Sequence, residues 1–364
     1  MRLPKKTPPR GPHAQRKQLR QARVLLILPF VVTALLLAPV ALIGKSVTIE
    51  GNLTVSQVSF VVGAVPPDVF SGVTTTAFTL HGMDKVRLGN GRLETVETRD
   101  PHSGDPLTWR SIGPVESAVL VPADSTTTSV TLRNATLHDL HISPTSRLTL
   151  LWLEDEPRLL RLRFDDHAVA GRVGVPAILQ FSCGQCRVTH SAGREEGSAE
   201  WRFVSDQAQV VDFQGLPDGA TLGLELAEQT SLSGVSIPRA EGLDFTRLHG
   251  TIQESTIIGD GKITIKDIQQ DVTIGPRDFV VLKPVPPFRV RSLSLNNGIQ
   301  LSFSGEVSAL RTGATEAGRN HLPSWLNWFY HQQQTWLLYL NAVILIGTTL
   351  VVILERLKVL RGGE

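Results

Sequence analysis

"SVTIEGNLTVSQVSFVVG", residues 46–63, decides how the rest of the chain reads. Val47, Ile49, Leu53 and Val55 alternate with polar residues, a period of two rather than 3.6. Side chains of a strand point to opposite faces in turn, so this alternation makes one apolar and one solvated face. "KITIKDIQQDVTI" (262–274) and "LSLNNGIQLSFSG" (293–305) repeat the pattern. Val, Ile and Thr dominate these runs, and their branched Cβ atoms suit a pleated surface.

Turn signals punctuate the alternation. Asn90-Gly91, Asp260-Gly261 and Asn297-Gly298 each stand between alternating runs. Such pairs tolerate positive φ, which two-residue hairpins require. "LTLLWLEDEPRLLRLRF" (148–164) reads as another hairpin with residues 154–157 at its tip. Nothing between 45 and 320 reads as a helix of any length. The expectation is an all-β region of antiparallel β-sandwich type, in one or two domains. The segments proposed are 45–165 and 166–310, with 165–177 as a hinge and 311–334 as a linker with an interfacial amphipathic stretch.

The ends of the chain are different. Residues 24–44 and 335–354 carry no charged side chain, and a helix of about 20 apolar residues spans the hydrocarbon core. Arg2, Lys5, Lys6, Arg10, Arg16, Lys17, Arg20 and Arg23 precede the first run, and Arg356, Lys358 and Arg361 follow the second. Basic residues beside spans stay on the cytoplasmic side. The reading is therefore two transmembrane helices, basic tails at 1–23 and 355–364 in the cytoplasm, and residues 45–334 exported. A cleaved signal peptide is the alternative for the first run, but its apolar stretch is longer than a signal core. The Arg-rich, plain-tailed composition points to a bacterial envelope and its inner (plasma) membrane.

Charge narrows the partners. The chain has 36 basic and 34 acidic residues, and the unmatched basic ones lie in the N-terminal tail. The exported stretch is thus net acidic, which speaks against nucleic acid. Membrane lipid, other envelope proteins or further copies of the chain are the expected partners; no cofactor or metal is called for.

At the outer boundary, Trp325, Trp328, Phe329, Trp336 and Tyr339 form an aromatic belt of the kind that settles at headgroup depth. Leu322, Trp325, Leu326 and Phe329 share one helical face, and Pro323 can open that helix. Within the spans, Ala34 and Ala38 offer a small-residue face, and Asn341 lies at a depth where it can bond against it.

The two cysteines, Cys183 and Cys186, lie in "FSCGQCRVTH" (181–190). Exported thiols this close tend to oxidise. Their flanks read as strands, whereas a thioredoxin-type site needs a helix N-terminus. The expectation is a structural disulfide across a hairpin tip at Gly184-Gln185. Zinc would need more ligands than these two and His190 supply.

No sequence signature of a hydrolase, nucleotide-binding loop or metalloprotease occurs, so no catalytic residue is nominated. The leading expectation is a non-enzymatic binding or assembly module. The alternation of residues 292–305 broadly resembles, in texture and without a diagnostic motif, the groove-shaped proteins that bridge lipids across bacterial envelopes. That resemblance implies an apolar trough and lipid carriage. An exported hydrolase whose acids meet only in space is the third reading.

Overall fold

The computed structural model describes residues 44–349, apart from 64–71, 97–107, 125–127, 166, 184, 191–192, 197–199, 217–218, 227–239, 316, 333–337, 340 and 343. Residues 46–322 form one compact unit. Its described residues are strands and turns, with no helix among them. Every strand pairing is antiparallel.

The alternation works as the sequence implies. Val47–Val55 buries every second residue and pairs along its whole length with Ile299–Gly313, from Val47↔Val307 to Val55↔Ile299. The longer ladder then runs outward through Phe279–Leu295, Ala240–Asp244, Gln57–Val62, Arg147–Leu153, Glu156–Asp165, Ala220–Leu226 and Val73–His81. It continues through Ser129–Arg133, Ile178–Cys183, Glu200–Val204, Gly91–Val96 and Trp109–Val115. On the other side of Val47–Val55 lie Gly261–Ile265 and Gln270–Ile274. Strands from before and after residue 165 are interleaved in both ladders.

A shorter ladder is made of Gly193–Glu196, Cys186–His190, Ala118–Pro122, Met83–Leu88, Gln209–Gly215, Val169–Val175 and Thr136–Ile142. It joins the longer one at Val73–His81, whose first residues pair with Thr136–Ile142. One core cluster takes side chains from both ladders, with Trp201, Phe60, Phe78, Phe164 and Phe203 fully enclosed. Burying such a side chain stabilises the fold by roughly 1.5–3 kcal/mol.

Two turn expectations hold and three do not. Leu153↔Glu156 closes a hairpin around Glu154–Asp155, and Leu295↔Ile299 closes another around Asn297, whose φ is 50°. At Asn90-Gly91 the strands on either side, Met83–Leu88 and Gly91–Val96, do not pair. They belong to the shorter and the longer ladder. The glycine there gives room rather than a special φ: a Cβ would meet the Phe203 ring and lie 2.7 Å from the Val204 carbonyl. Asp260-Gly261 likewise joins no hairpin, because Ile252–Ser255 pairs back onto Thr246–His249 while Gly261–Ile265 pairs with Val47–Val55. The third correction is at the cysteines.

Candidate functional sites

Ile178–Cys183 pairs with Ser129–Arg133 and Glu200–Val204, whereas Cys186–His190 pairs with Ala118–Pro122 and Gly193–Glu196. Cys183 and Cys186 therefore do not face each other across a hairpin. They bracket a corner where the chain leaves the longer ladder for the shorter one. Their Cα atoms are 5.7 Å apart, their sulfurs lie at disulfide distance, and the residues are 1% and 3% exposed. A bond here fixes the crossing between ladders. A two-residue hairpin could not be built because both strands already have partners on either side. His190 stays outside the cysteine pair, and no cluster of three His, Cys, Asp or Glu suited to a metal occurs among the described residues.

The two chain ends form a second unit, Met1–Lys45 with Pro323–Glu364. Gly44 and Ser324 make an antiparallel bridge, and the Lys45 amide donates to the Pro323 carbonyl at 3.1 Å. Ser324 then caps the helix α1, Trp325–Gln332, accepting from the Asn327 amide at 3.2 Å. The cap is Ser324, one residue after the proline expected to open the helix. Serine supplies the acceptor that an N-terminus needs. The Lys45 ammonium lies over the Trp328 ring and 5.0 Å from that of Trp325, and the two indoles meet edge-on at 5.5 Å. Cation and aromatic rings attract through the ring quadrupole. The Trp328 indole N–H is buried with no partner among the described residues.

Beyond α1 the described residues of the second apolar run are helical. Leu338, Ile344, Leu345 and Ile346 are more than half exposed, as is Tyr339. Thr348 and Thr349 turn their hydroxyls back onto the carbonyls of Ile344 and Leu345, at 2.9 and 2.7 Å. Asn341 is helical and exposed. Ala34, Ala38 and Trp336 lie outside the described residues, as does the Phe329 side chain. Among the described residues, no helix is long and apolar enough to cross a membrane.

The solvated faces of the ladders carry ordered charge. On the shorter ladder, Arg87, Asp212, Arg172 and Asp139 stand in register on four adjacent strands, alternating in sign. Arg172 Nε donates to Asp139 at 2.6 Å. Opposite charges directly across strands stabilise a ladder by a few tenths of a kcal/mol up to about 1 kcal/mol each. On the longer ladder, a cleft of about 680 Å³ lies between the outer face of Arg147–Leu153 and Glu156–Asp165 and the hairpin Thr246–His249/Ile252–Ser255. Arg147, Arg161, Arg163 and Arg247 line it. Outward arginines on strands read in sequence as ordinary solvated positions; only the overhanging hairpin turns them into a site. Asp165 accepts from Arg163 at 2.9 Å and Glu156 pairs with Arg161. Asp166 lies outside the described residues.

No known protein family matches the chain, and no curated protein is significantly similar to it in sequence.

Proposed function

We propose that the protein is a two-span membrane protein that holds a β-sandwich module outside the cytoplasm for binding or assembly. One observation carries the reading: the Gly44–Ser324 bridge joins the end of the first apolar run to the residue that caps α1, the helix preceding the second run. Two spans whose outer flanks meet at this bridge and whose far ends carry basic residues would suit a common inner side for both termini. The Lys45, Trp325 and Trp328 cluster at that point has the amphipathic chemistry of a headgroup layer. Exposed Leu338, Ile344, Leu345 and Ile346, with hydroxyls bonded back to their own helix, suit a hydrocarbon solvent.

Binding through strand edges fits the module. Among the described residues, Gln270–Ile274 pairs on one side only, and it contains neither proline nor bulge. The far edge, Trp109–Val115, is blunted by Pro114 and a register shift. Regular open edges accept strands from other chains, whereas irregular ones refuse them. A lipid-bridging trough would require an open apolar interior; the enclosed Leu, Ile and Phe side chains of the single core cluster favour the packed module. A reporter enzyme active only after export tests the topology. Fused after residue 200 it is expected to work, and fused after Glu364 it is expected to stay silent. Silence of the first fusion, or activity of the second, defeats the reading.

A further inference from the structure

We propose that the cleft under the Thr246–His249/Ile252–Ser255 hairpin binds the phosphate group of a phosphate ester, free or as a lipid headgroup. Four guanidinium groups converge on it from three directions. Arg161 and Arg163 project from one strand, Arg147 from its neighbour, and Arg247 from the hairpin above. Guanidinium is the side chain best matched to phosphate, since its planar fork gives two parallel N–H donors.

Three of the four are held by weak partners. Arg163 bonds Asp165 at 2.9 Å, Arg247 bonds Glu254 at 3.0 Å, and Arg161 bonds Glu156. Each pair is on the surface, with side chains 29–64% exposed. Such pairs contribute roughly 0–1 kcal/mol and exchange readily for a dianion. Arg147 has no ion-pair partner among the described residues. Its in-register neighbour Asp165 is already taken by Arg163. Hydroxyls complete the floor: Ser59 and Thr149 lie 2.8 Å apart, and Thr149 and Thr221 flank Arg163 in register.

The local field agrees with the geometry. His81 sits next to Thr221 on the same face, and burial together with the Arg161 charge holds its imidazole below the ordinary 6.5. Asp165 and Asp244 also line the cleft, so its four arginines leave it net positive on a stretch that is acidic as a whole. Leu151 and Leu248 line the same cleft, and Leu248 is 77% exposed. That apolar rim suits the organic part of an ester.

The cleft lies wholly within residues 46–322, so the proposal stands or falls independently of the membrane topology. The test is calorimetric titration of full-length protein in a maltoside detergent with glycerol phosphate, and separately in bilayer discs with and without phosphatidylglycerol. Saturable binding is expected in at least one arm, weakened roughly tenfold or more by Arg147→Gln and by Arg163→Gln. Arg87→Gln, on the shorter ladder, is expected to bind as the parent does. Arg147 makes no side-chain bond among the described residues, so Arg147→Gln remains decisive if Arg163→Gln fails to fold. Binding of the free ester assigns a soluble ligand; binding in the discs alone, with the same variant dependence, assigns the lipid headgroup. Absence of binding in both arms, or binding that both variants leave unchanged, overturns the proposal.

Discussion

Arg202 donates through Nε to the Glu94 carboxylate at 2.6 Å, and that carboxylate is almost completely withdrawn from water. Arg92 approaches its other oxygen at 3.1 Å, and the Arg202 guanidinium stacks 4.7 Å from the Trp109 ring. One arginine thus neutralises a buried acid and ties down the edge strand Trp109–Val115. Arg202→Leu leaves Glu94 with the half-exposed Arg92 alone. Removing one partner of a buried pair costs about 3–5 kcal/mol when nothing replaces it. With Arg92 remaining, a loss of about 2–3 kcal/mol is expected in urea unfolding of the β-rich unit. The double variant Arg202→Leu/Glu94→Leu is expected to recover most of it. A single variant as stable as the parent would show that the pair does not hold this edge.

Gly51 faces Phe303 in the ladder, and the phenyl ring lies across the space where a side chain would begin. Phe303 also meets Phe245 at 6.3 Å and Phe288 at 5.7 Å. A larger residue at 51 must push this ring into two others. Overpacking of this kind costs about 1–3 kcal/mol. Gly51→Val is expected to lower stability by that amount despite the better strand propensity of valine. Gly51→Val with Phe303→Leu is expected to restore part of it, read from the same unfolding curves. A stabilised Gly51→Val variant would mean that the ring is not fixed there.

How far the sequence led can be seen from four turns. The hairpins at Glu154–Asp155 and Asn297 were legible because both strands of each pair lie next to the turn. Asn90-Gly91 and Cys183–Cys186 carry equally strong local signals, yet the chain there changes ladder. Whether a turn closes a hairpin or crosses the fold depends on which distant strand is free to pair. That choice is made by contacts such as Val47↔Val307 and Phe181↔Leu132, which alternation along one strand cannot reveal. The cleft was hidden for the same reason. Arg147, Arg161 and Arg163 occupy polar positions in the pattern, and Arg247 reaches them from a hairpin far along the chain.

Acidification is expected to weaken the β-rich unit in two separate windows. His81 and His321 are both held below the ordinary 6.5, in each case by burial first, then by Arg161 and Arg319 respectively. The unfolded chain therefore takes up protons before the folded one does. Stability falls as pH drops through 6.5 and levels off below the folded values. Glu50 and Asp271 act in the same direction at lower pH, held low chiefly by bonds to Lys266 and Lys262. Their contribution persists above the unfolded values of 4.5 and 3.8 and is lost below them. Urea midpoints at pH 7.5 and 5.5 report the histidine window alone. His81→Gln is expected to shrink that difference, and an unchanged difference would remove His81 from the account.

The cysteine corner makes the sharpest chemical prediction. Both sulfurs lie inside the core cluster, on strands that belong to different ladders. A bond between them limits the unfolded chain only over a very short loop, so its chain-entropy contribution is modest, about 2 kcal/mol. It also holds the crossing, which no ladder hydrogen bond does, since Ile178–Cys183 and Cys186–His190 share none. Thiol titration of protein unfolded without reductant is expected to find no free thiol, and two after reduction. The Cys183→Ala/Cys186→Ala variant is expected to unfold at lower urea. Its amide exchange is expected to rise first in Ile178–Cys183 and Cys186–His190, leaving Val47–Val55 protected. Two titratable thiols in the unreduced protein would sink the disulfide, and uniform exchange across both ladders would deny the corner its role.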